Sequence, residues 1–406
     1  MQSFQTLTFD QALATIQQKV AAARPRPAVE SIALESASGR VLAREVVSDR
    51  DYPPFHRSTR DGFAVRSSEA AHPPAVLQRV GEVQAGASFG GLVAAGQCVQ
   101  IMTGAPLPEG CDAVVMIEYT RAEASKVEIN RAVRPGENVV RRGSEAQAGK
   151  PILPAGRRLG AGEIGLLAAV GMAEVPVFAK PYVAIIPTGD EVVPIDRTPQ
   201  WYQIRNSNAV MLAAQVEATG GLPLLQGIAP DEAATLRGMI LKGLEADLLI
   251  LSGGVSMGKY DLVKQVLADL GAEFIFHGVE IRPGKPTLFG RLQDKFFFGL
   301  PGNPVSSYVT FTLFASPVVE ALAGSAIEKP VFLRARLGEA VSNKTGLTYF
   351  LPARVEMQDG EAVARAIGWQ GSGDLVGVAA SNCFLVLHPG QKELAAREWV
   401  DVLQRQ

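Results

Sequence analysis

A strand, a glycine-rich loop and a helix follow one another near the middle of the chain. The apolar run 248–251 has the length and continuity of a strand that is buried on both faces. Gly253 and Gly254 follow at once, and after Asp261 apolar residues recur at helical spacing. These residues are Val263, Val266, Leu267 and Leu270. Because backbone N–H groups in such a loop and the helix N-terminus both attract negative charge, the pattern predicts an anion-binding loop.

This loop matches a P-loop only in part. Gly253 to Lys259 fit the first seven positions of G-x-x-x-x-G-K-[ST], but Tyr260 stands where a small hydroxyl should hold magnesium. We therefore do not expect a true P-loop. The structural alternative is a tight turn with Asp261 as a helix N-cap, which contributes only about 1 kcal/mol. An acid at the mouth of an anion site usually implies a cation between the two.

Strand and helix patterns alternate from residue 182 to residue 322. The predicted strands are 183–186, 222–228, 248–251, 274–281 and 296–300, and the predicted helices are 206–219, 231–244, the segment after 261 and a long apolar helix to 322. This alternation predicts a mainly parallel sheet with helices on both faces. Ligands of such sheets bind beyond the carboxyl ends of the strands.

Carboxylates and cations follow several of these strands. Glu191, Asp231 and Asp261 are the acids, and Arg282 and Lys285 are the cations of the segment Arg-Pro-Gly-Lys-Pro. Each acid alone could be a helix cap or an exposed loop residue. Their shared place at one edge of one sheet instead predicts a metal-assisted phosphate site with the three carboxylates as metal ligands.

The regions before and after this domain have a different pattern. A capping box at Thr8–Gln11 opens a helix with Leu13, Ile16 and Val20 on one face. Residues 147–180 return to that character, with a short helix at 163–170. Between these two segments, short β-type runs predict a small inserted β unit. Its predicted strands are 76–83, 98–103, 113–119 and 126–133.

Two further expectations concern the flanks of the alternating region. Residues 51–66 are expected to form an ordered connection, and residue types alone favour a plain turn at Asp61-Gly62. After residue 330 the helices are expected to stop. The remaining strands, 331–337, 350–355, 362–366, 383–387 and 399–403, predict a second β domain with Ser372 in one of its loops.

Composition narrows the class of protein. The 406 residues are 47% hydrophobic, and 39 basic against 41 acidic side chains give a net charge of −2, which does not favour a nucleic-acid or membrane-surface protein. Three cysteines without a C-x-x-C and four histidines without ligand spacing support neither a disulfide framework nor a zinc site. The N-terminus lacks a signal-peptide pattern, so a cytoplasmic protein is expected. No G-x-S-x-G or Cys-His context indicates nucleophilic catalysis.

Six motifs together resemble a known family. They are Pro53-Pro-Phe with Asp61-Gly-Phe-Ala-Val, Thr103-Gly-Ala-Pro-Leu-Pro, Pro187-Thr-Gly-Asp-Glu, Ser252-Gly-Gly-Val-Ser-Met-Gly with Asp261, Arg282-Pro-Gly-Lys-Pro and Leu300-Pro-Gly-Asn-Pro-Val-Ser. In this order they resemble the MoeA family of molybdopterin molybdenumtransferases, which includes the E domain of gephyrin. The resemblance extends from the first helix to the last strand.

The resemblance implies a multidomain α/β plus β fold. A two-segment linker domain (1–50 and 147–180) would carry an inserted β domain (51–146), followed by a MogA-like three-layer α/β domain (181–329) and a C-terminal β barrel (330–406). It also implies an elongated homodimer whose cleft lies between the α/β domain of one protomer and the inserted domain of the other. Transient contact with a MogA-type adenylyltransferase and with molybdoenzymes is a further implied expectation.

The implied reaction inserts molybdate into adenylylated molybdopterin and releases AMP, supported by Mg²⁺ or a similar divalent cation. The implied catalytic residues are Asp61, Thr103, Glu191, Asp231, Asp261 and Lys285. The implied substrate-binding residues are Arg142, Ser252, Gly253, Gly254, Ser256, Arg282, Pro301, Gly302, Asn303, Arg354 and Ser372.

This sequence departs from the family pattern at three places. His56, Arg282 and Asn206 stand where an acid, a lysine and an aspartate are common, and Asn206 removes a carboxylate that could contact metal or nucleotide. Two other functions remain open on the residues. One is a MogA-type adenylyltransferase, because that fold is embedded here, and the other is a non-catalytic scaffold of the gephyrin kind. Molybdate and tungstate cannot be told apart from the sequence.

Overall fold

The computed structural model describes residues 6–23, 27–255, 261–327 and 329–405. Its first part contains two helices and twelve strands. In chain order these are α1 (Phe9–Ala23), β1 (Val29–Ala33), β2 (Val46–Val47), β3 (Arg57–Ser58), β4 (Gly62–Val65), β5 (Ala75–Val83), β6 (Gln97–Ile101), β7 (Ala113–Met116), β8 (Thr120–Glu123), β9 (Lys126–Ile129), β10 (Val139–Val140), β11 (Pro151–Leu153), α2 (Ala161–Ala169) and β12 (Glu174–Phe178).

Two segments distant in sequence pair with each other around the inserted unit. Strand β1 pairs antiparallel with β12, and β2 pairs antiparallel with β11. Their small core includes Leu42, Val46, Leu159 and Leu167. Helix α1 begins with the predicted reciprocal capping bonds between Thr8 and Gln11, but its apolar face packs into the core of the α/β domain rather than into this one.

The inserted unit is a six-stranded sheet in the order β7-β4-β6-β5-β9-β8. The expectation of a connection at 51–66 is wrong for 62–65, because β4 is a central strand whose four residues are all buried. The run Phe63-Ala-Val65 supplies the apolar strand sequence. Gly62 is required at its start, since a Cβ there would clash with the Val115 carbonyl oxygen of the neighbouring strand.

The α/β domain contains the predicted alternation with several additions. Its elements are β13 (Tyr182–Pro187), β14 (Val192–Val193), β15 (Ile204–Arg205), α3 (Ser207–Thr219), β16 (Leu222–Leu225), α4 (Ala233–Gly243), β17 (Leu248–Ser252), α5 (Leu262–Asp269), β18 (Glu273–His277), β19 (Ile281–Arg282), β20 (Leu288–Leu292), β21 (Lys295–Leu300), α6 (Pro304–Thr310) and α7 (Ser316–Leu322). The main sheet has the order β16-β13-β17-β21-β20-β18, parallel from β16 to β21 and antiparallel beyond. Apolar layers cover both faces of this sheet.

Three predictions in this domain need correction. Strand β20 is missing from the sequence prediction, because it is the antiparallel partner of β21 and a hairpin breaks the strand–helix alternation. The predicted strand 274–281 is two strands, since β19 leaves the sheet and pairs with the C-terminal domain. Helix α4 starts at Ala233, so Asp231 does not cap it.

The long apolar helix is interrupted and deeply buried. A π-helical turn, Phe311–Ala315, separates α6 from α7, close to Pro317, which cannot donate a helical hydrogen bond. Gln215 of α3 donates to the Tyr308 carbonyl oxygen at 3.2 Å beside this turn. Within the described ranges, Pro304–Leu322 is the one helical stretch with the length and apolar composition of a membrane span, and 89% of its most apolar window is buried inside the protein.

The C-terminal domain is a closed barrel of five strands. Its elements are β22 (Phe332–Leu337), β23 (Val341–Ser342), β24 (Thr348–Gln358), β25 (Glu361–Ala366), α8 (Leu375–Ala380), β26 (Cys383–Leu387), β27 (Glu393–Leu394) and β28 (Trp399–Gln404). The order β24-β25-β22-β28-β26 closes through pairing of β24 with β26. Helices do not stop after residue 330, because Asp374 caps the short helix α8 by accepting a bond from the Gly377 amide.

Candidate active site

A cleft of about 830 Å³ lies beyond the carboxyl ends of β13, β17 and β21. Its walls come from the segments after these strands, from the start of α3 and from the barrel domain through Gly373 and Leu375. This is the edge of the sheet at which the strand–helix alternation predicted ligand binding. The sequence prediction therefore located the cleft correctly.

The loop after β17 needs both of its first glycines. Gly253 and Gly254 have φ values of +94° and +62°, which other residues rarely adopt. A Cβ at Gly254 would also lie 2.6 Å from Val263 Cγ2 and 2.8 Å from Thr188 Oγ1. The backbone is thus held close against the loop after β13. Ser256 and the P-loop-like residues 258–260 lie outside the described residues.

A hydrogen-bond network that the sequence analysis missed joins three walls of the cleft. Asn208 Nδ2 donates to Ser252 Oγ at 2.9 Å and to the Gly302 carbonyl oxygen at 2.7 Å. Within the described part of the chain, Asn208 Oδ1 and the buried Thr188 Oγ1 have no hydrogen-bond partner. Both residues line the cleft, although these two oxygen atoms are themselves buried. The polar triplet at 206–208 before an apolar helix was the signal in the sequence.

The acidic rim of the cleft consists of Glu191 and Asp231, with Asp190 behind them. The Asp231 amide donates to Asp190 Oδ1 at 3.0 Å. Partial burial, followed by the charges of Asp190 and Glu191, raises the pKa of Asp231. A cation bound near this carboxylate would favour its charged form and so oppose that shift.

Asp261 has a different environment. Its Oδ1 accepts the Lys264 amide at 3.1 Å and caps α5, while Oδ2 is 3.8 Å from Lys264 Nζ and has no hydrogen-bond partner among the described residues. The side chain is 2% exposed, and burial raises its pKa to about 6. Asp261 does not line the cleft.

The three carboxylates predicted as metal ligands are therefore not assembled as one cluster. In the described ranges, no group of three or more His, Cys, Asp or Glu side chains is placed to bind a metal ion. Glu191 and Asp231 line the cleft, whereas Asp261 turns back onto its own helix. The helix-cap alternative accounts for one oxygen of Asp261, and the other is 3.8 Å from Lys264 Nζ in an ion pair.

The two predicted cations lie outside the lining of the cleft. Lys285 is exposed, and the Arg282 guanidinium lies 5.0 Å from the centre of the Tyr349 ring. Lys285 directly precedes Pro286, which does line the cleft. Among the described residues, the cation that lines the cleft is Arg205, which the sequence analysis did not select.

The barrel domain closes one side of the cleft. Pro301, Gly302 and Asn303 of the α/β domain line the cleft on this side. Asn303 Nδ2 donates to Ser372 Oγ of the barrel domain at 2.7 Å. The Ser372 carbonyl oxygen also accepts the amide at the start of α6. Arg354 lies elsewhere on the barrel, where its Nε donates to Glu356 Oε1 at 2.7 Å.

Comparison with known protein families covers nearly the whole chain. The MoeA N-terminal region (domain I and II) matches residues 7–171, a probable molybdopterin binding domain matches 184–321, and the MoeA C-terminal region (domain IV) matches 334–404. The chain belongs to the MoeA family. The resemblance inferred from the six motifs is thereby confirmed.

Relatives and solved structures support the same family. Proteins named molybdopterin molybdenumtransferase from Nostoc sp. and Bacillus subtilis are 39% and 35% identical, each over 92% of this chain and over 88% and 89% of the relative. Two molybdopterin biosynthesis MoeA structures from Pyrococcus horikoshii have TM-scores of 0.83 and 0.77 at 28% and 32% identity. They cover 99% and 98% of this chain and 100% and 99% of theirs. The predicted fold class and the classification as a transferase of molybdenum cofactor biosynthesis are confirmed.

The remaining MoeA-type residues form a second polar group in the inserted domain. Asp61 Oδ1 accepts the Thr103 amide at 2.6 Å and the Thr103 hydroxyl at 2.7 Å. The hydroxyl and then the amide bond lower the pKa of Asp61. The expectation of a plain turn is wrong, because Asp61 precedes a strand and anchors the Thr103 loop. Neither residue lines the cleft of this chain.

Arg142 and His56 adjoin this group. Arg142 Nε donates to Asp51 Oδ2 at 2.8 Å, and its amide donates to His56 Nδ1 at 3.2 Å. His56, where the family often has an acid, therefore accepts a local backbone bond. Asn206 departs from the MoeA pattern with little structural consequence, since it caps α3 by accepting the Ala209 amide at 3.1 Å and asparagine caps helices about as well as aspartate.

Proposed function

We propose that this MoeA-family chain inserts molybdate into adenylylated molybdopterin and releases AMP. The observation that carries the proposal is the cleft, whose lining combines the two glycines after β17, the hydrogen-bonded Asn208 and the carboxylates of Glu191 and Asp231. Phosphate groups suit the glycine side, and a cation between phosphate and carboxylates suits the rim.

The reaction balances without electron transfer. Two Mo–S bonds form as the two dithiolene thiols lose their protons and one molybdate oxygen leaves as water. The phosphoanhydride bond breaks by addition of one water, so AMP leaves and the molybdopterin phosphate is restored. The residues have only to position the two anions, shield the charge that develops and exclude bulk water.

A divalent cation fits the residues in part. Mg²⁺ is commonly held by one or two carboxylates together with substrate phosphates, rather than by a cage of protein ligands alone. Asp231 and Glu191 would supply the carboxylates from the cleft. Asp261, which the family motifs imply as a third ligand, would have to give up the ion pair between its Oδ2 and Lys264 Nζ. Bound there, the cation would neutralise charge on the phosphoanhydride oxygens.

Other residues of the proposal bind the substrates. Ser252, Gly253 and Gly254, with Pro301, Gly302 and Asn303, would contact phosphate and nucleotide, while Ser256 belongs to the same loop. Lys285 and Arg282 would bind the oxyanion, with Ser372 donating a hydrogen bond. Arg142 and Arg354 are assigned to substrate binding by the family motifs.

We also propose a cytoplasmic homodimer. Asp61 and Thr103 match catalytic positions of the family yet do not line this chain's cleft. A second protomer would bring its own Asp61–Thr103 pair to this cleft. Contact with an adenylyltransferase and with molybdoenzymes would then deliver substrate and remove product.

One assay separates the proposed function from its alternatives. Purified protein is incubated with adenylylated molybdopterin and Mg²⁺, with and without molybdate, and AMP is measured. Molybdate should accelerate AMP release, and ATP should not be consumed. Pyrophosphate production from ATP and molybdopterin would replace the proposal with an adenylyltransferase, and binding without a molybdate effect would favour a scaffold.

A further inference from the structure

Arg205 is the one positively charged side chain among the described residues that line the cleft. Its Nε donates to the Arg197 carbonyl oxygen at 3.1 Å, and no ion pair engages it in the described part of the chain. That bond engages Nε, and among the described residues neither terminal amino group has a hydrogen-bond partner. A planar fork of this kind matches two oxygens of one phosphate.

The backbone at Arg205 is well anchored. Strand β15 pairs in parallel with β14, and the Ile204 amide donates to the Glu191 carbonyl oxygen at 2.9 Å. The next residue, Asn206, donates its amide to the Val193 carbonyl oxygen at 2.9 Å and caps α3 with its side chain. Arg205 therefore holds a fixed position relative to the acidic rim.

Arg205 does not form an ion pair with Glu191 or Asp231, the carboxylates of the acidic rim, in the described part of the chain. Its side-chain hydrogen bond goes to the Arg197 carbonyl oxygen instead. The cleft thus keeps a cationic wall apart from its carboxylates. An anionic group bound between them would contact the guanidinium on one side and a cation held by the rim on the other.

We infer that Arg205 binds a phosphate group of the substrate in this cleft, an inference that rests on the proposed function. Arg282 and Lys285, the two cations of the segment Arg-Pro-Gly-Lys-Pro, are then left for the oxyanion. Adenylylated molybdopterin offers two phosphate sources, the adenylate and the molybdopterin phosphate. Both have the same chemistry toward a guanidinium.

Binding of three probes tests the assignment. Calorimetry measures the affinities of AMP, adenosine and molybdopterin for the full-length protein, its Arg205→Gln variant and an Arg197→Gln variant. Arg197→Gln removes the same charge from the same loop at a residue that does not line the cleft and retains the carbonyl bound by Arg205. Melting temperatures of both variants report that the fold is intact.

In Arg205→Gln, loss of the charge-assisted contact should lower the affinity for one phosphate-containing probe by about 10- to 100-fold. The affinity of Arg197→Gln for that probe should equal the parent's. The weak binding of adenosine should be the same in all three proteins. A lower affinity for AMP alone assigns Arg205 to the adenylate phosphate. A lower affinity for molybdopterin alone assigns it to the molybdopterin phosphate. Two results would overturn the inference. In the first, Arg205→Gln and Arg197→Gln bind AMP equally well and bind molybdopterin equally well. In the second, the parent binds AMP no more tightly than adenosine, and Arg205→Gln binds molybdopterin as tightly as the parent does. Because molybdate takes no part, this outcome is independent of the AMP-release assay.

Discussion

Two aspartates that cap helices have opposite titration behaviour. Burial raises the pKa of Asp261 to about 6, whereas backbone hydrogen bonds from Gln370 and then Gly377 lower the pKa of Asp374. The same residue type in the same local motif thus differs only in its surroundings. Burial of the Asp261 carboxylate, and not the capping motif, therefore accounts for the difference.

The first prediction concerns Asp261→Asn, which keeps the cap and removes the charge. Because the folded-state pKa exceeds the ordinary 3.8, the stability contributed by Asp261 is full below about pH 3.8 and is lost as pH rises through about 6. From pH 4 to pH 7 the variant should therefore gain about 2–3 kcal/mol relative to the parent. Thermal unfolding across this pH range should show that the variant stays folded. AMP-release assays should show that it has lost turnover.

Asp374→Asn is the matched control, because the pKa of Asp374 is shifted in the opposite direction to that of Asp261. Its lowered pKa means that the carboxylate stabilises the protein above about pH 3.8 and that this contribution is lost as pH falls further. The control should therefore not gain stability between pH 4 and pH 7. If Asp261→Asn turned over normally and only lost stability, Asp261 would be a structural cap alone.

At the scale of elements, the loop after β17 and the cap of α3 fix the shape of the cleft. Gly254→Ala would force a Cβ against Val263 and Thr188 at a positive φ. We expect a loss of at least about 1 kcal/mol and a loss of substrate binding. Gly271→Ala is the control, because Gly271 has φ of +83° but nothing within 4 Å of its Cβ position. Equal melting temperatures and activities of the two variants would contradict the steric account.

The third prediction separates capping from charge at α3. Asn206→Ala should cost about 1 kcal/mol, because the Ala209 amide loses its acceptor. Asn206→Asp, which restores the residue common in the family, should leave stability nearly unchanged. Thermal unfolding checks both, and a similar loss in both variants would show that Asn206 has another structural role.

The elements that periodicity could predict were the β–α units of the central domain and the first helix. Strands β4 and β20 were missed, because each is defined by partners distant in sequence or by a hairpin that breaks the alternation. The cleft followed from topology, but Asn208, Thr188 and Arg205 did not. Local patterns place a residue on a loop without fixing the direction of its side chain.

At the scale of the whole molecule, the polar residues fall into two separate groups. Glu191 and Asp231 line the cleft of the α/β domain, while Asp61 and Thr103 bond to each other in the inserted domain. A single chain does not unite them in one cleft. The homodimer proposal joins the groups from different protomers, as the family motifs imply.

Mixed dimers test this arrangement. Asp61→Ala and Asp261→Ala proteins should each be inactive, and mixing them should restore part of the AMP release, because one cleft of each mixed dimer would then contain no substitution. Labelled subunits confirm exchange. Failure to complement after confirmed exchange would place all these residues in one protomer's cleft.

The central claim is that the acidic rim of the cleft supports molybdate-dependent release of AMP. Its most direct test is the rate of AMP release from adenylylated molybdopterin, with and without molybdate, for the parent, Asp231→Asn and Glu232→Gln. Glu232 adjoins Asp231 but does not line the cleft. We predict that molybdate accelerates release in the parent and in Glu232→Gln, and that Asp231→Asn falls by about 100-fold or more. Equal molybdate-dependent rates in Asp231→Asn and Glu232→Gln would contradict the account.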